Sequence, residues 1–256
     1  MTVRFERCGT VGLITLAKPD RHNALATDLV ADLLATLDRP DARQASALVI
    51  AGDGPSFCAG ADIGDLLGAG WMTPTPLGPT PMDLFERLDG HPRPTIAAVH
   101  GRALGGGFEL TLCCDLVVAA ADAVFALPEL GLGVVPNTGL ARLAQIAGPR
   151  HALDLILTRR HIGAEEAAAL GLVSRVVPPG GAVDGAVELA RAITDGAPPG
   201  AISTVKRAVR RAAPLDWPAV RAMLAELPAG EWAEGLGAFG DRRRPDYSEF
   251  WRTSDA

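Results

Sequence analysis

Residues 95–110 read Thr-Ile-Ala-Ala-Val-His-Gly-Arg-Ala-Leu-Gly-Gly-Gly-Phe-Glu-Leu. Thr95 to Val99 is a short, uncharged, mostly apolar run, which fits a strand buried on both faces of a sheet. A glycine-rich loop, Gly101 to Gly107, follows, and then a helix from Phe108 to about Cys114. Three glycines in a row let the backbone approach a ligand closely. Standing before a helix, they also offer unpaired N–H groups and the positive helix end, which suit an anion. No Lys-Ser/Thr pair follows, so this is not a Walker-type phosphate loop. With no acidic partner downstream it is also a weak dinucleotide motif. On its own the triple glycine reads as a turn as readily as a site.

The same arrangement recurs on either side. Ala47 to Ala51 (ALVIA) is another buried-strand run, and it ends in a glycine-rich loop from Gly52 to Gly60. Leu116 to Ala119 (LVVA) reads as a third buried strand, and Ala123 to Phe125 as a short fourth. Strand, glycine loop, helix, strand is the rhythm of repeated β–β–α or β–α–β units, an α/β fold. Upstream, Val3 and Phe5 alternate with polar residues, Gly9-Thr10 turns, and Val11 to Leu16 returns as a second strand. After the loop KPDRHN, the spacing of Leu29/Val30, Leu33/Leu34 and Leu37 predicts a helix with Thr27 as its N-cap. Residues 64–93 are rich in proline and glycine and read as a substrate flap or a surface loop, with a helix at Met82 to Leu88. Beyond residue 138 the chain turns helical. Leu140, Leu143 and Ile146/Ala147 share a face, and helices are predicted at His151 to Leu157, Glu165 to Leu170, 183–194, 199–212 and 217–226. Pro198-Pro199-Gly200 marks the expected boundary between a core (1–195) and a helical C-terminal region (196–256).

The chain has 256 residues, a formal net charge of −6 and 48% hydrophobic residues. That is globular composition, long enough to bury a sizeable core. An acidic chain is a poor nucleic-acid binder, although Arg207, Arg210, Arg211 and Arg242 to Arg244 make the last quarter locally basic. Cys8, Cys58, Cys113 and Cys114 fit no zinc spacing, and adjacent Cys113 and Cys114 read as small buried apolar residues. Few cysteines and an N-terminus unlike a signal peptide imply a reducing, cytoplasmic setting. No apolar run approaches the ~18 residues that would span a bilayer.

Two carboxylates stand out. Glu109 falls in the first turn of the helix after the triple glycine, where the helix end favours its ionised form. Glu129 lies in Leu127-Pro128-Glu129-Leu130-Gly131-Leu132-Gly133, an apolar loop that would desolvate it and raise its pKa toward that of a useful acid. Each alone is equally well an ordinary helix-start or loop glutamate.

Taken together, FCAGADI (57–63), TIAAVHGRALGGGFEL (95–110), LPELGLGVVP (127–136) and ALDLILTRRHIGAEEAAALGLVSRVVP (152–178) resemble the crotonase superfamily, specifically enoyl-CoA hydratases. The resemblance runs from Asn23-Ala24-Leu25 to the C-terminal helices. It implies a spiral of β–β–α repeats with a C-terminal helical region that assembles trimers, often paired into hexamers. It implies an oxyanion hole from the N–H groups of Ala61 and Gly106, with Glu109 holding and deprotonating water and Glu129 protonating Cα. Lys18, Arg21, Ala24, Ala59, Asp62, Ile63 and Lys206 become the candidates for contacts to the substrate and its coenzyme A. Coenzyme A enters as part of the substrate, and neither metal nor redox cofactor is expected. The family commonly has a longer glycine-rich stretch after the second glutamate than Val135-Pro136-Asn137-Thr138-Gly139-Leu140. The competing readings are an enoyl-CoA isomerase, hydrolase or decarboxylase on the same fold, a non-catalytic acyl-CoA carrier, and an RNA-binding side role that the acidic charge disfavours.

Overall fold

The computed structural model describes residues 1–68, 70–71, 76–225 and 227–253. Two sheets form the frame. The larger has six strands in the order β1 (Val3–Cys8), β2 (Val11–Leu16), β3 (Leu48–Gly52), β5 (Thr95–Val99), β7 (Leu116–Ala120) and β10 (Arg175–Val177). Only the β1–β2 hairpin is antiparallel; the other pairs are parallel. The smaller sheet runs β4 (Ser56–Cys58), β6 (Arg102–Leu104), β8 (Val124–Ala126) and β9 (Ile162–Gly163).

Chain order explains the geometry. β3 is followed by β4, β5 by β6 and β7 by β8, so each turn of the chain lays one strand in each sheet and then turns helical. This is the predicted spiral of β–β–α turns. From sequence alone, residues 52–60 and 101–107 read wholly as loops. Each contains a three-residue strand, β4 and β6, too short to show an alternating pattern among the glycines.

The apolar runs are apolar on both faces for a visible reason. In β3, Leu48 and Ile50 point into the main core, while Val49 and Ala51 point into a second apolar layer. That second layer is closed by the Ala182–Thr194 helix, through Ala182, Ala186, Leu189 and Ala190. The same alternation holds in β5, where Ala97 and Val99 face one layer and Ile96 and Ala98 the other.

Most predicted helices stand within a residue or two of their expected bounds. The largest revision concerns Thr27. It is the first helical residue of Thr27–Asp38 rather than its cap, and its hydroxyl has no partner among the described residues. The cap comes from elsewhere: the Thr27 N–H donates to the Asp65 carboxylate at 2.6 Å. Cys113 and Cys114 are buried among apolar side chains, as read from sequence. Part of the 64–93 flap, residues 69 and 72–75, lies outside the described residues. Its helix runs Pro81–Asp89, opened by a reciprocal Thr80–Asp83 capping box.

The C-terminal region opens with Pro199–Ala212, a helix with no buried residue. A chain of ion pairs nevertheless fastens it. Asp89 holds Arg142 and Arg210, and Asp115 holds Arg210 and Lys206. Further on, the Ala229–Gly240 helix packs on the short 3-10 turn Glu129–Leu132, and the Tyr247 hydroxyl donates to the Gly131 carbonyl at 3.4 Å. No described helix is long and apolar enough to cross a membrane.

Candidate active site

The Gly106–Cys113 helix starts where β6 ends. Gly105, its N-cap residue, has φ +52° and ψ −127°, a region that side-chain-bearing residues rarely occupy. This sharp entry sets the first turn of the helix directly against residues 59–62. A β-carbon built on Gly106 would lie 3.3 Å from the Ala61 nitrogen, and one built on Gly60 would lie 3.3 Å from the Gly106 nitrogen. The two amides are therefore neighbours.

Both amides are available for chemical reasons. Gly106 is the first helical residue, so its N–H has no acceptor within the helix. Ala61 forms a parallel bridge with Leu25, in which the Leu25 N–H donates to Gly60 O and the Asp62 N–H donates to Leu25 O. In a parallel pair the residue flanked by such bonds turns its own N–H to the other side.

Glu109 stands one turn into the helix and is buried. Its Oε1 accepts the Gly139 N–H at 2.8 Å. Burial pushes its carboxyl up to about 7, against the opposing pull of the Gly139 and Thr138 N–H groups. The sequence expectation that the helix end keeps Glu109 simply ionised is thus outweighed by desolvation. Glu129 opens its 3-10 turn just after β8. Burial first, and the Glu109 charge second, raise it well above the usual carboxylate range. Its Oε2 is buried with no partner among the described residues. Of the two, Glu129 keeps its proton longer, because Glu109 alone receives backbone N–H donors from a neighbouring segment.

Both carboxylates line one cavity of about 460 Å³, together with Ala59, Ala61, Ile63, Gly105 and Gly106. Its walls are largely apolar: Leu66, Trp71, Met82, Phe85, Leu132, Val134 and Val135. Pro218, Arg221 and Ala222 of the C-terminal region complete it, a contribution that periodicity alone does not reveal. Arg221 is tied to the Pro81–Asp89 helix by ion pairs to Asp83 and Glu86. The Asn137–Ala147 helix starts against Glu109, so that the Gly139 N–H reaches it.

The remaining candidates divide in two. Lys18, Arg21 and Ala24 sit on a loop zipped to residues 59–62, where the Ala59 N–H donates to His22 O at 3.0 Å. The Asn23 side chain clamps this loop, donating to Asp53 O and Ser56 O at 2.8 Å. Lys18 pairs with Asp28, and Arg21 with Asp62, which also accepts the Gly64 N–H at the start of the Ile63–Gly68 helix. Lys206 is apart from these. It bonds Asp115 at 2.7 Å and the Arg93 carbonyl at 3.0 Å, and does not line the cavity. No cluster of three or more potential metal ligands occurs among the described residues.

Two interleaved sheets wound as a spiral, with paired buried carboxylates in an apolar cavity, define an enzyme of the crotonase fold. The family model for enoyl-CoA hydratase/isomerase matches residues 6–250. The chain belongs to that family. It is 38% identical to a probable enoyl-CoA hydratase of Rhizobium meliloti (strain 1021), covering 96% of this chain and 97% of that one. Among solved structures, carnitinyl-CoA hydratase from Mycobacterium avium superposes with a TM-score of 0.81 at 33% identity, covering 97% and 98% of the two chains. A methylmalonyl-CoA decarboxylase bound to 2S-carboxypropyl-CoA superposes with a TM-score of 0.82 at 26% identity, covering 96% and 97%.

Proposed function

We propose that the protein is an enoyl-CoA hydratase, adding water across the trans-2 double bond of an enoyl-CoA thioester to give a 3-hydroxyacyl-CoA. The observation that carries this reading is the pair Glu109 and Glu129 on one cavity, with unequal hold on their protons. Hydration needs that inequality. One group must take a proton from water as it attacks Cβ, and another must deliver a proton to Cα. Glu109, with the lower affinity for its proton, is the base, and Glu129 is the acid. The thioester carbonyl would sit on the Ala61 and Gly106 N–H groups, each worth ~3 kcal/mol as negative charge develops on that oxygen. This chemistry calls for no metal or redox cofactor, and coenzyme A belongs to the substrate.

Lys18, Arg21 and Ala24 are proposed to flank the coenzyme A moiety, since their loop is bonded to the Ala59–Asp62 segment. A non-catalytic carrier would have no use for two buried carboxylates, whose ionisation burial opposes. The likeness to a decarboxylase keeps that chemistry as the second reading. A homotrimer, or a dimer of trimers, is proposed as the assembly. Exposed Ile146, Leu153, Leu157, Val205, Val209 and Phe239 on the later helices are consistent with self-association. A cytoplasmic setting is proposed from the four free thiols. The test is to mix the protein with a short trans-2-enoyl-CoA and follow loss of the conjugated thioester absorbance. Turnover to the 3-hydroxyacyl-CoA supports the reading. Tight binding without turnover at several chain lengths removes it, and a double-bond shift without water addition makes the protein an isomerase.

A further inference from the structure

Asn137 is the first residue of the Asn137–Ala147 helix and lines the same cavity as Glu109 and Glu129. It is 4% exposed, and neither its amide nitrogen nor its amide oxygen has a hydrogen-bond partner among the described residues. Burying a donor and an acceptor unpaired is costly, and native cores rarely do so without a reason. The neighbours place this carboxamide. Two residues on, the Gly139 N–H holds Glu109, and one residue on, the Thr138 hydroxyl lies 3.6 Å from Met82 Sδ. Asn137 thus shares the cavity with the acid pair and with the apolar side chains of Met82 and Phe85.

We propose that Asn137 is a specificity-determining residue, and that the preferred acyl group carries a hydroxyl or similar substituent that both donates and accepts a hydrogen bond. This rests on the hydratase reading of the cavity. A plain alkyl chain packed on Met82 and Phe85 would leave both polar atoms of the carboxamide unpaired, as they are without it among the described residues. A hydroxyl supplies an acceptor for the N–H and a donor for the oxygen. Sites that present buried polar groups reject analogues unable to pair with them far more strongly than apolar pockets reject an extra methylene. In the proposed mechanism the reacting water gives its proton to Glu109, and the variants below test whether Asn137 serves that water instead.

The experiment compares trans-but-2-enoyl-CoA with its 4-hydroxy derivative, and the five- and six-carbon homologues with their terminal hydroxy derivatives. At one chain length at least, the wild type is expected to favour the hydroxylated member in kcat/KM by on the order of 10²-fold. Asn137→Leu, of similar size, is expected to erase or invert that ratio while melting at the same or a higher temperature, because the orphan groups are gone. Asn137→Ala serves if the leucine variant does not fold. Preference for the plain chain at every length overturns the proposal. So does an equal loss on both members in the variants, which would assign Asn137 to the reacting water. If neither member is hydrated, the hydratase reading itself has failed. The proposal is then decided by calorimetric binding of the saturated hydroxyacyl-CoA and acyl-CoA pairs, where equal affinities overturn it.

Discussion

A β-carbon on Gly105 would lie 2.8 Å from Glu129 Oε1. The glycine that turns the chain into the Gly106–Cys113 helix is therefore also the floor under the proposed acid. Gly105→Ala places a methyl against that oxygen and forces a residue with a side chain to φ +52°. Displacing a catalytic group by about 1 Å can cost about 10²-fold. We expect kcat to fall by about that factor, with far-ultraviolet circular dichroism unchanged. Unaltered kinetics would mean that Glu129 is not held where the structure places it.

The unequal carboxyls predict a pH profile. Glu109 must be ionised to accept a proton, so kcat/KM rises as pH passes about 7. Glu129, raised by burial and by the Glu109 charge, must be protonated to donate one, so activity falls again at higher pH once that proton is lost. The pair titrates as a unit, and the two limbs belong to it jointly. A flat profile from pH 5 to 9 would exclude this division of labour.

The same burial affects stability, with a definite sign. The Glu109 carboxyl is raised in the folded protein from 4.5 to about 7. The folded state therefore binds more protons than the unfolded state between those values, and stability drops as pH rises through that window. At pH 8 the charged, buried carboxylate costs on the order of 3 kcal/mol. Glu109→Gln should accordingly melt above the wild type at pH 8, and the gap should shrink toward pH 4.5. Thermal melts at the two pH values check this.

The ion pairs of Asp89 and Asp115 with Arg142, Arg210 and Lys206 tie the C-terminal region to the core. Arg142 and Asp89 are almost fully buried, so Asp89→Ala leaves a buried guanidinium uncompensated. It should destabilise the protein by about 3–5 kcal/mol in denaturant unfolding. Lys206→Met should lower the melting temperature while leaving KM for an enoyl-CoA within about twofold, since its ammonium is engaged by Asp115. A large rise in KM with unchanged stability would instead return Lys206 to coenzyme A binding.

Much of this was legible in the sequence because it is local. Val49 and Ile50 declare a strand with two buried faces, and the Gly105–Gly107 run declares a close approach at a helix start. Glu109 and Glu129 were found because each sits beside such a landmark. What escaped depends on contacts distant in sequence. The capping of Thr27 by Asp65, the grip of Gly139 on Glu109 and the entry of Arg221 into the cavity leave no trace in periodicity. Desolvation of Glu109 escaped for the same reason, since a helix-start glutamate is exposed unless another segment covers it. Asn137, lying in the short segment after Glu129, carries no pattern that separates it from a turn residue.

The most direct measurement is kcat/KM on a short trans-2-enoyl-CoA for the wild type, Glu109→Gln and Glu129→Gln. Each amide keeps the shape of the side chain and removes its proton transfer, a contribution of about 10²- to 10⁴-fold. Wild type is expected to convert the substrate to the 3-hydroxyacyl-CoA, and both variants are expected to lose activity by at least about 10²-fold while remaining folded. Hydration at near wild-type rates by either variant would contradict it.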